Sequence, residues 1–250
     1  MTNIKKNYVF SYGFAESGRL HLQHWLWNMQ LGWDRHPAID LSGSGEIWIA
    51  DLGCGNGAWL LSLARSFENV QDQEIVLRGF DIASSHFPAP ENLPNNITLG
   101  VMDAFTTDLP ASLVGKFDVV HVRAFAAVVK NNNPGVEISN ACKLLKPGGY
   151  LQWDEVDAES TRAVSPRETV CSRATQALLD NAKLSSKVAM NLQYAWISDL
   201  GKIFKTHGLE LVTFTRMDVK KELWNDAGDE IEEGISVVMD LVVCVGRKPL

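Results

Sequence analysis

From residue 46 onward, short apolar runs rich in β-branched residues alternate with stretches of helical periodicity. EIWIADLG (46–53) ends in glycines and leads into AWLLSLARSF (58–67), where Leu60, Leu61, Leu63 and Ala64 recur at helical spacing, which predicts a strand, a tight loop and a helix. EIVLRGFD (74–81), ITLGVMD (97–103) and FDVVHVR (117–123) follow, separated by Pro-, Asn- and Ser-rich stretches, and read as short strands buried on both faces. VEISNACKLLKPGGYLQWDEVD (136–157) predicts a helix ending at Lys146, a turn at Pro147–Gly149 and a strand from Tyr150 to about Asp154. Beyond residue 165, SPRETVCSRATQALLDNAK, with Pro166 in a first turn, and YAWISDLGKIFKTHG, stopped by Gly208, predict helices. LELVTFTRMDV and SVVMDLVVCVG predict two late strands. Repeated strand–crossover–strand units imply an α/β fold with a doubly wound, mostly parallel, Rossmann-like sheet of seven strands. Ahead of it, RLHLQHWLWNMQLGW (19–33) predicts an amphipathic helix, so residues 1–45 form a helical cap and 46–250 one compact domain.

Composition narrows the classes. At 250 residues the chain suits one domain with a modest cap, and a two-domain dehydrogenase is cramped. Lys and Arg number 23 against 30 Asp and Glu, and no long basic run is present, so nucleic acid is not an expected partner. Cys54, Cys142, Cys171 and Cys244 lack C-x-x-C spacing, and MTNIKKNYVFSYG has no apolar secretory core, which fits a reducing cytoplasm. The apolar stretches at 119–129 and 235–246 are interrupted by His121, Arg123 and Asp240 and fall short of the ~18 residues a membrane span needs, so no membrane contact is expected.

Chemistry concentrates in DLGCGNGAW (51–59), where Gly53, Gly55 and Gly57 lie between a strand and a helix and allow close backbone approach to a ligand. Gly53, Gly55 and Ala58 also fit the dinucleotide pattern G-x-G-x-x-G/A. Asp51 argues against that reading, because it would repel a pyrophosphate and attract an ammonium group. Asp81 ends the next strand, 24 residues after Gly57, where a carboxylate can accept both hydroxyls of an adenosine ribose. Asp103 ends the third strand. Any one of these acids alone reads as a cap or turn residue. Together, flanked by Ile82, Met102 and Ala104, they suit S-adenosylmethionine, with its ribose, adenine amine and cationic amino acid tail.

The motifs DLGCGNG, GFDIA, VMDAF, FDVVHVR and LLKPGGYLQW resemble those of class I S-adenosylmethionine-dependent methyltransferases across about residues 46–155. RLHLQHWLW, HVRAF, GYLQWDEVD and VGRKP add a narrower resemblance to the methyltransferases and methyltransferase-like proteins of fungal secondary metabolism. The resemblance implies that Asp51, Gly53, Cys54, Gly55 and Gly57 cradle the methionine half, Asp81 with Ile82 holds the ribose, and Asp103 with Met102 and Ala104 reads the adenine. It implies methylation of a small secondary metabolite on oxygen, nitrogen or carbon, with S-adenosylhomocysteine as product. The alternative is a protein that binds the cofactor without transferring methyl, as a pericyclase, scaffold or regulator.

Methyl transfer is an in-line displacement that needs alignment and, for some acceptors, proton removal. Strand alternation puts Val119, His121 and Arg123 on one face, with Arg123 at the carboxyl end for binding cofactor or acceptor. His121 is a base candidate, against the commoner reading of such a histidine as a hydrogen-bonded core residue. Glu155 and Asp157 are alternative bases, unless Asp154, Glu155 and Asp157 form a solvated turn. Arg19, Gln23 and His24 form the polar face of the cap helix over the ligand site. His21 and His24 have metal-compatible spacing without a third ligand signature, so no metal is expected. Trp25, Trp27 and Trp33 read as packing residues of the cap or as walls for a flat substrate. Finally, KKELWNDAGDEIEEG (220–234) is short beside the helical insertion of the group it resembles. That implies a pocket open to solvent between the cap helix and the fourth and fifth strands, and slow transfer to small phenols.

Overall fold

The computed structural model describes residues 14–42, 45–68, 73–165, 173–190, 193–219 and 236–250. Seven strands form one sheet: β1 (Glu46–Leu52), β2 (Glu74–Asp81), β3 (Ile97–Val101), β4 (Phe117–Arg123), β5 (Leu145–Val164), β6 (Glu210–Asp218) and β7 (Ser236–Arg247), in the order β3-β2-β1-β4-β5-β7-β6. The first five pair in parallel, and β7 runs antiparallel to both neighbours, so the sheet is mixed at one edge. The helices are α1 (Phe14–Leu31), α2 (Ala58–Ser66), α3 (Gly135–Leu144), α4 (Arg173–Met190), α5 (Ala195–Ser198) and α6 (Leu200–Thr206).

Two boundaries differ from the sequence reading for visible reasons. Helix α3 stops at Leu144, because the Lys248 ammonium donates to the carbonyls of Cys142 and Leu145 at 2.8 and 2.7 Å and so satisfies acceptors left open at the helix end. Strand β5 takes in the Pro–Gly–Gly turn, where Gly148 N donates to Lys248 O and Lys248 N to Gly149 O, and it continues to Val164 along β7. Around Asp199 the expected single helix at 194–208 is two, α5 and α6. Pro166 and the first turn expected there lie outside the described residues.

Alternation along the strands separates two apolar layers. On one face, Phe117, Val120, Val122, Leu151 and Trp153 pack with α3, α5 and α6 through Ile138, Leu144, Trp196 and Phe204. On the other, Ile47, Ile49, Leu77 and Val119 pack with α2 through Trp59, Leu60 and Leu63. Helix α1 lies over this second face, and its fully buried Trp27 clusters with Val219, Val238 and Leu241. Trp33 is partly buried beside it, whereas Trp25 stands exposed. The carboxyl ends of β1 and β4 therefore lie near α1, through Leu20 against Gly55 and His24 against Arg123.

Candidate functional site

After β1 the chain turns through three glycines in left-handed conformations, with φ of 69° at Gly53, 55° at Gly55 and 76° at Gly57. The turn is fastened to β2: Gly53 N and Cys54 N both donate to Phe80 O, at 2.7 and 3.0 Å. Asp81 closes it, with Oδ2 accepting from Gly55 N at 2.8 Å and Oδ1 from Ala83 N at 3.2 Å. Burial raises the Asp81 pKa, against the pull of those N–H donors. Gly53 is exposed, and Asp81, Ile82 and Met102 are partly exposed, so the rim of this turn faces solvent. Asp103 is exposed at the end of β3, where its Oδ1 accepts from Phe105 N at 2.9 Å in its own turn, and Ala104 is buried.

The glycines also serve the protein's own packing. A Cβ on Gly53 would lie 2.2 Å from Phe125 Cε2, and one on Gly55 would lie 3.0 Å from Leu20 Cδ1 of α1. Gly79 on β2, which the sequence reading passed over, is required for the same reason, since a Cβ there would meet Cys54 Sγ at 2.8 Å and Leu99 Cδ2 at 2.4 Å. The Cys54 side chain thus points beneath the turn and offers a ligand only its backbone. Burial, then the carboxylates of Asp51 and Asp81, push its thiol well above the usual range, so it is not a nucleophile.

Asp51, His121 and Asp154 form a fully buried chain across β1, β4 and β5. His121 Nδ1 lies 2.8 Å from Asp51 Oδ1 and Nε2 lies 3.1 Å from Asp154 Oδ2. Trp59 stacks on the ring at 3.8 Å and 6°. Burial opposes charge on His121, but the two carboxylates outweigh it and raise its pKa. Both nitrogens face carboxylate oxygens, so the ring bridges Asp51 and Asp154 in the manner of the hydrogen-bonded core residue weighed against the base reading. Gln152 extends the chain, donating to Asp154 Oδ2 at 2.9 Å and Asp34 O at 3.0 Å and accepting from His36 N at 2.8 Å. The Asp34 carboxylate accepts from Ser62 Oγ at 2.7 Å. Gln152 and Asp154, polar two residues apart within an apolar strand, were the available signal for this network.

Arg123, partly buried at the end of β4, donates to His24 Nδ1 at 3.0 Å and lies 5.7 Å from the Trp27 ring centroid. Burial first, then the Arg123 charge, lower the His24 pKa to about 3, so its ring is neutral and accepts through Nδ1. Arg19 pairs within α1 with Glu16 at 2.5 Å and Gln23 at 3.0 Å, while Asn56 donates to Ser17 O at 3.2 Å. The structure thus joins His24 to Arg123, whereas Arg19 and Gln23 form a separate pair toward the start of α1. Where an open pocket is expected between α1 and the ends of β4 and β5, the Arg123–His24 hydrogen bond crosses from β4 to α1. Cavities of about 350 and 270 Å³ lie instead where α1 meets α2, the first lined by Ser17, His21, Asn56 and Phe87, the second by His24, Trp25, Ser62 and Arg65. Residues 220–234, on which the open-lid expectation rested, lie outside the described residues.

Glu155 points to the opposite face. Its Oε2 accepts from Phe125 N at 2.8 Å and Trp153 Nε1 at 3.2 Å, and its Oε1 from Val156 N at 3.1 Å. Burial raises its pKa to about 7. With Ala124 N bonded to Asp154 O at 3.1 Å, Glu155 holds a strained turn in which Ala124 has φ of 58°. That turn sets the Phe125 ring against Gly53, so Glu155, expected as a base candidate, holds the turn that shapes the glycine loop's surroundings. Asp157 is paired with Arg216 at 2.6 Å.

A family model described as a methyltransferase domain matches residues 43–213. The methyltransferase grgD of Penicillium sp is 35% identical over 130 residues, covering 50% of this chain and 43% of that one. The N-methyltransferase tcpN of Claviceps purpurea is 32% identical over 142 residues, covering 56% and 49%. The matched segments span about half the length of these relatives. Among solved structures, a SAM-dependent methyltransferase of Methanosarcina mazei superposes with a TM-score of 0.55 at 16% identity, over 87% of this chain and 100% of that one, a likeness of fold. Among the described residues, no helix is long and apolar enough to cross a membrane.

Proposed function

The chain belongs to the methyltransferase domain family, and on that premise we propose that it binds S-adenosylmethionine over the carboxyl ends of β1 to β4 and transfers methyl to a small secondary metabolite. The observation that carries the reading is the glycine turn closed by Asp81 onto Gly55 N–H, with Gly53 exposed at its rim. This cradle fits the cofactor: backbone without side chains meets the methionine half, and Asp81 retains lone pairs for ribose hydroxyls. Asp103, exposed at the next strand end, is the group we assign to the adenine amine. Asp51, at the root of the turn, favours the cationic amino end of the tail. When bound, the cofactor supplies an electrophilic methyl on a sulfonium.

The chain's own share is binding and alignment, because His121, Glu155 and Asp157 are all engaged in contacts within the fold. That favours an acceptor with an available lone pair, such as an amine, over one needing deprotonation. The name of the Claviceps purpurea relative, an N-methyltransferase, supports the same class. The same engagement of the three acids and bases favours, as second reading, a protein that binds the cofactor without transferring methyl. We place the protein in the cytoplasm, acting on small molecules and not on nucleic acid.

Incubation with methyl-labelled S-adenosylmethionine and fractionated fungal metabolites tests this. Label in a small-molecule amine, with an equal amount of S-adenosylhomocysteine, is the expected result. Cofactor binding without S-adenosylhomocysteine above the protein-free level leaves the second reading.

A further inference from the structure

His121 is costly to bury. It is a ring with no exposed surface, stacked on Trp59, and each of its nitrogens lies against a carboxylate oxygen. Yet it touches the one acid that sits immediately before the glycine turn. A carboxylate fixed at its outer strand position by a ring N–H cannot swing, whereas an acid free to rotate would present several orientations to a ligand. We infer that His121 is a positioning residue for the cofactor's amino acid tail: donating both ring N–H groups, it clamps Asp51 in one orientation at the root of the glycine turn.

Further contacts carry the clamp outward. Asp154 Oδ2 accepts from both His121 and Gln152, and Gln152 binds Asp34 O and His36 N in the segment after α1. The charged or titratable groups around the ring are Asp51 on β1, Arg123 on β4, Asp154 on β5, His24 on α1, and Asp34 and His36 in that segment; α2 contributes the Trp59 face and, farther off, Arg65. Asp154 Oδ1 is buried without a hydrogen-bond partner, so this arrangement is not explained by satisfaction of Asp154 alone. The clamp reaches the cofactor through Asp51, and this inference rests on the proposed cofactor site.

The test compares S-adenosylhomocysteine with 5′-methylthioadenosine, which lacks the amino acid tail, by titration calorimetry. In the His121→Gln variant, S-adenosylhomocysteine should bind about tenfold weaker or worse, the scale of a lost hydrogen bond to a charged group, while 5′-methylthioadenosine affinity is unchanged. Equal losses for both ligands, or no loss for either, overturn the assignment. If His121→Gln does not fold, Asp154→Asn carries the same expectation at smaller size, since it loosens the ring on its other side. Nitrogen-15 spectra of the wild-type histidines at pH 7.5 should show both His121 nitrogens protonated, and a ring with one bare nitrogen overturns the clamp whatever the ligand does. Wild-type protein that binds neither ligand overturns the cofactor site and this role with it, whereas a selective failure of the variant comparison overturns this role alone.

Discussion

The two faces of β4 and β5 are built from alternate residues of the same strands, yet they hold different chemistry. Toward α1 stand His121, Arg123, Gln152 and Asp154, nearly all buried and joined by hydrogen bonds to β1 and to the segment after α1. Toward α3, α5 and α6 stand Val120, Val122, Trp153 and Glu155, an apolar layer with one carboxyl group spent on a backbone turn. The first face places polar groups beside the glycine turn. The second supplies the packing that keeps them there, and it meets the glycine turn through Phe125, whose ring lies against Gly53.

The largest effect should come from breaking the apolar face. Trp153 is fully buried and meets Phe125 at 6.0 Å and Trp196 at 5.5 Å between ring centroids. Trp153→Ala should destabilise the fold by about 3–5 kcal/mol in urea unfolding. Next, Asp81→Ala should weaken S-adenosylhomocysteine binding by about 1.5–3 kcal/mol, read by calorimetry, since the acid serves both Gly55 and the proposed ribose contact. On the polar face, Gln152→Ala leaves Asp34 O and His36 N without their partner and should cost about 1–3 kcal/mol. Its distinguishing sign is faster amide hydrogen exchange in α1 with β6 and β7 unchanged.

The smallest effect separates the faces by role. Glu155→Gln keeps an acceptor for Phe125 N, so stability and turnover should stay within about 1 kcal/mol of wild type; a hundredfold fall in kcat would restore Glu155 as a base. The two faces should also respond to pH in opposite senses. Glu155 has a folded pKa of about 7, above its ordinary 4.5, so its contribution is full below 4.5 and is lost as pH rises through 7. His24 has a folded pKa of about 3, below its ordinary 6.5, so its contribution is full above 6.5 and is lost as pH falls through 3. Melting temperatures from pH 4 to 8 should therefore flatten on the neutral side in Glu155→Gln and on the acid side in His24→Gln.

The strand and helix order, the glycine turn, and the acids at the ends of β1 and β2 were legible from residues 46–123, because period-two apolar runs and a Gly-rich turn leave local signals. Partners separated by 70 residues were not: nothing local says that His121 meets Asp51, or that Gly53 lacks a Cβ to admit the Phe125 ring. The solvated turn offered as the alternative for Asp154, Glu155 and Asp157 fails, because pairing with β7 through Val164 buries all three. The length of β5 depended on a distant strand and was likewise hidden.

The proposed function stands on the glycine turn and Asp81 holding S-adenosylmethionine. Titration of the wild-type protein with S-adenosylhomocysteine and, separately, with NADH tests it most directly. A single saturable site for S-adenosylhomocysteine that NADH does not compete for is the expected result. Saturable NADH binding, with no heat from S-adenosylhomocysteine, would contradict it.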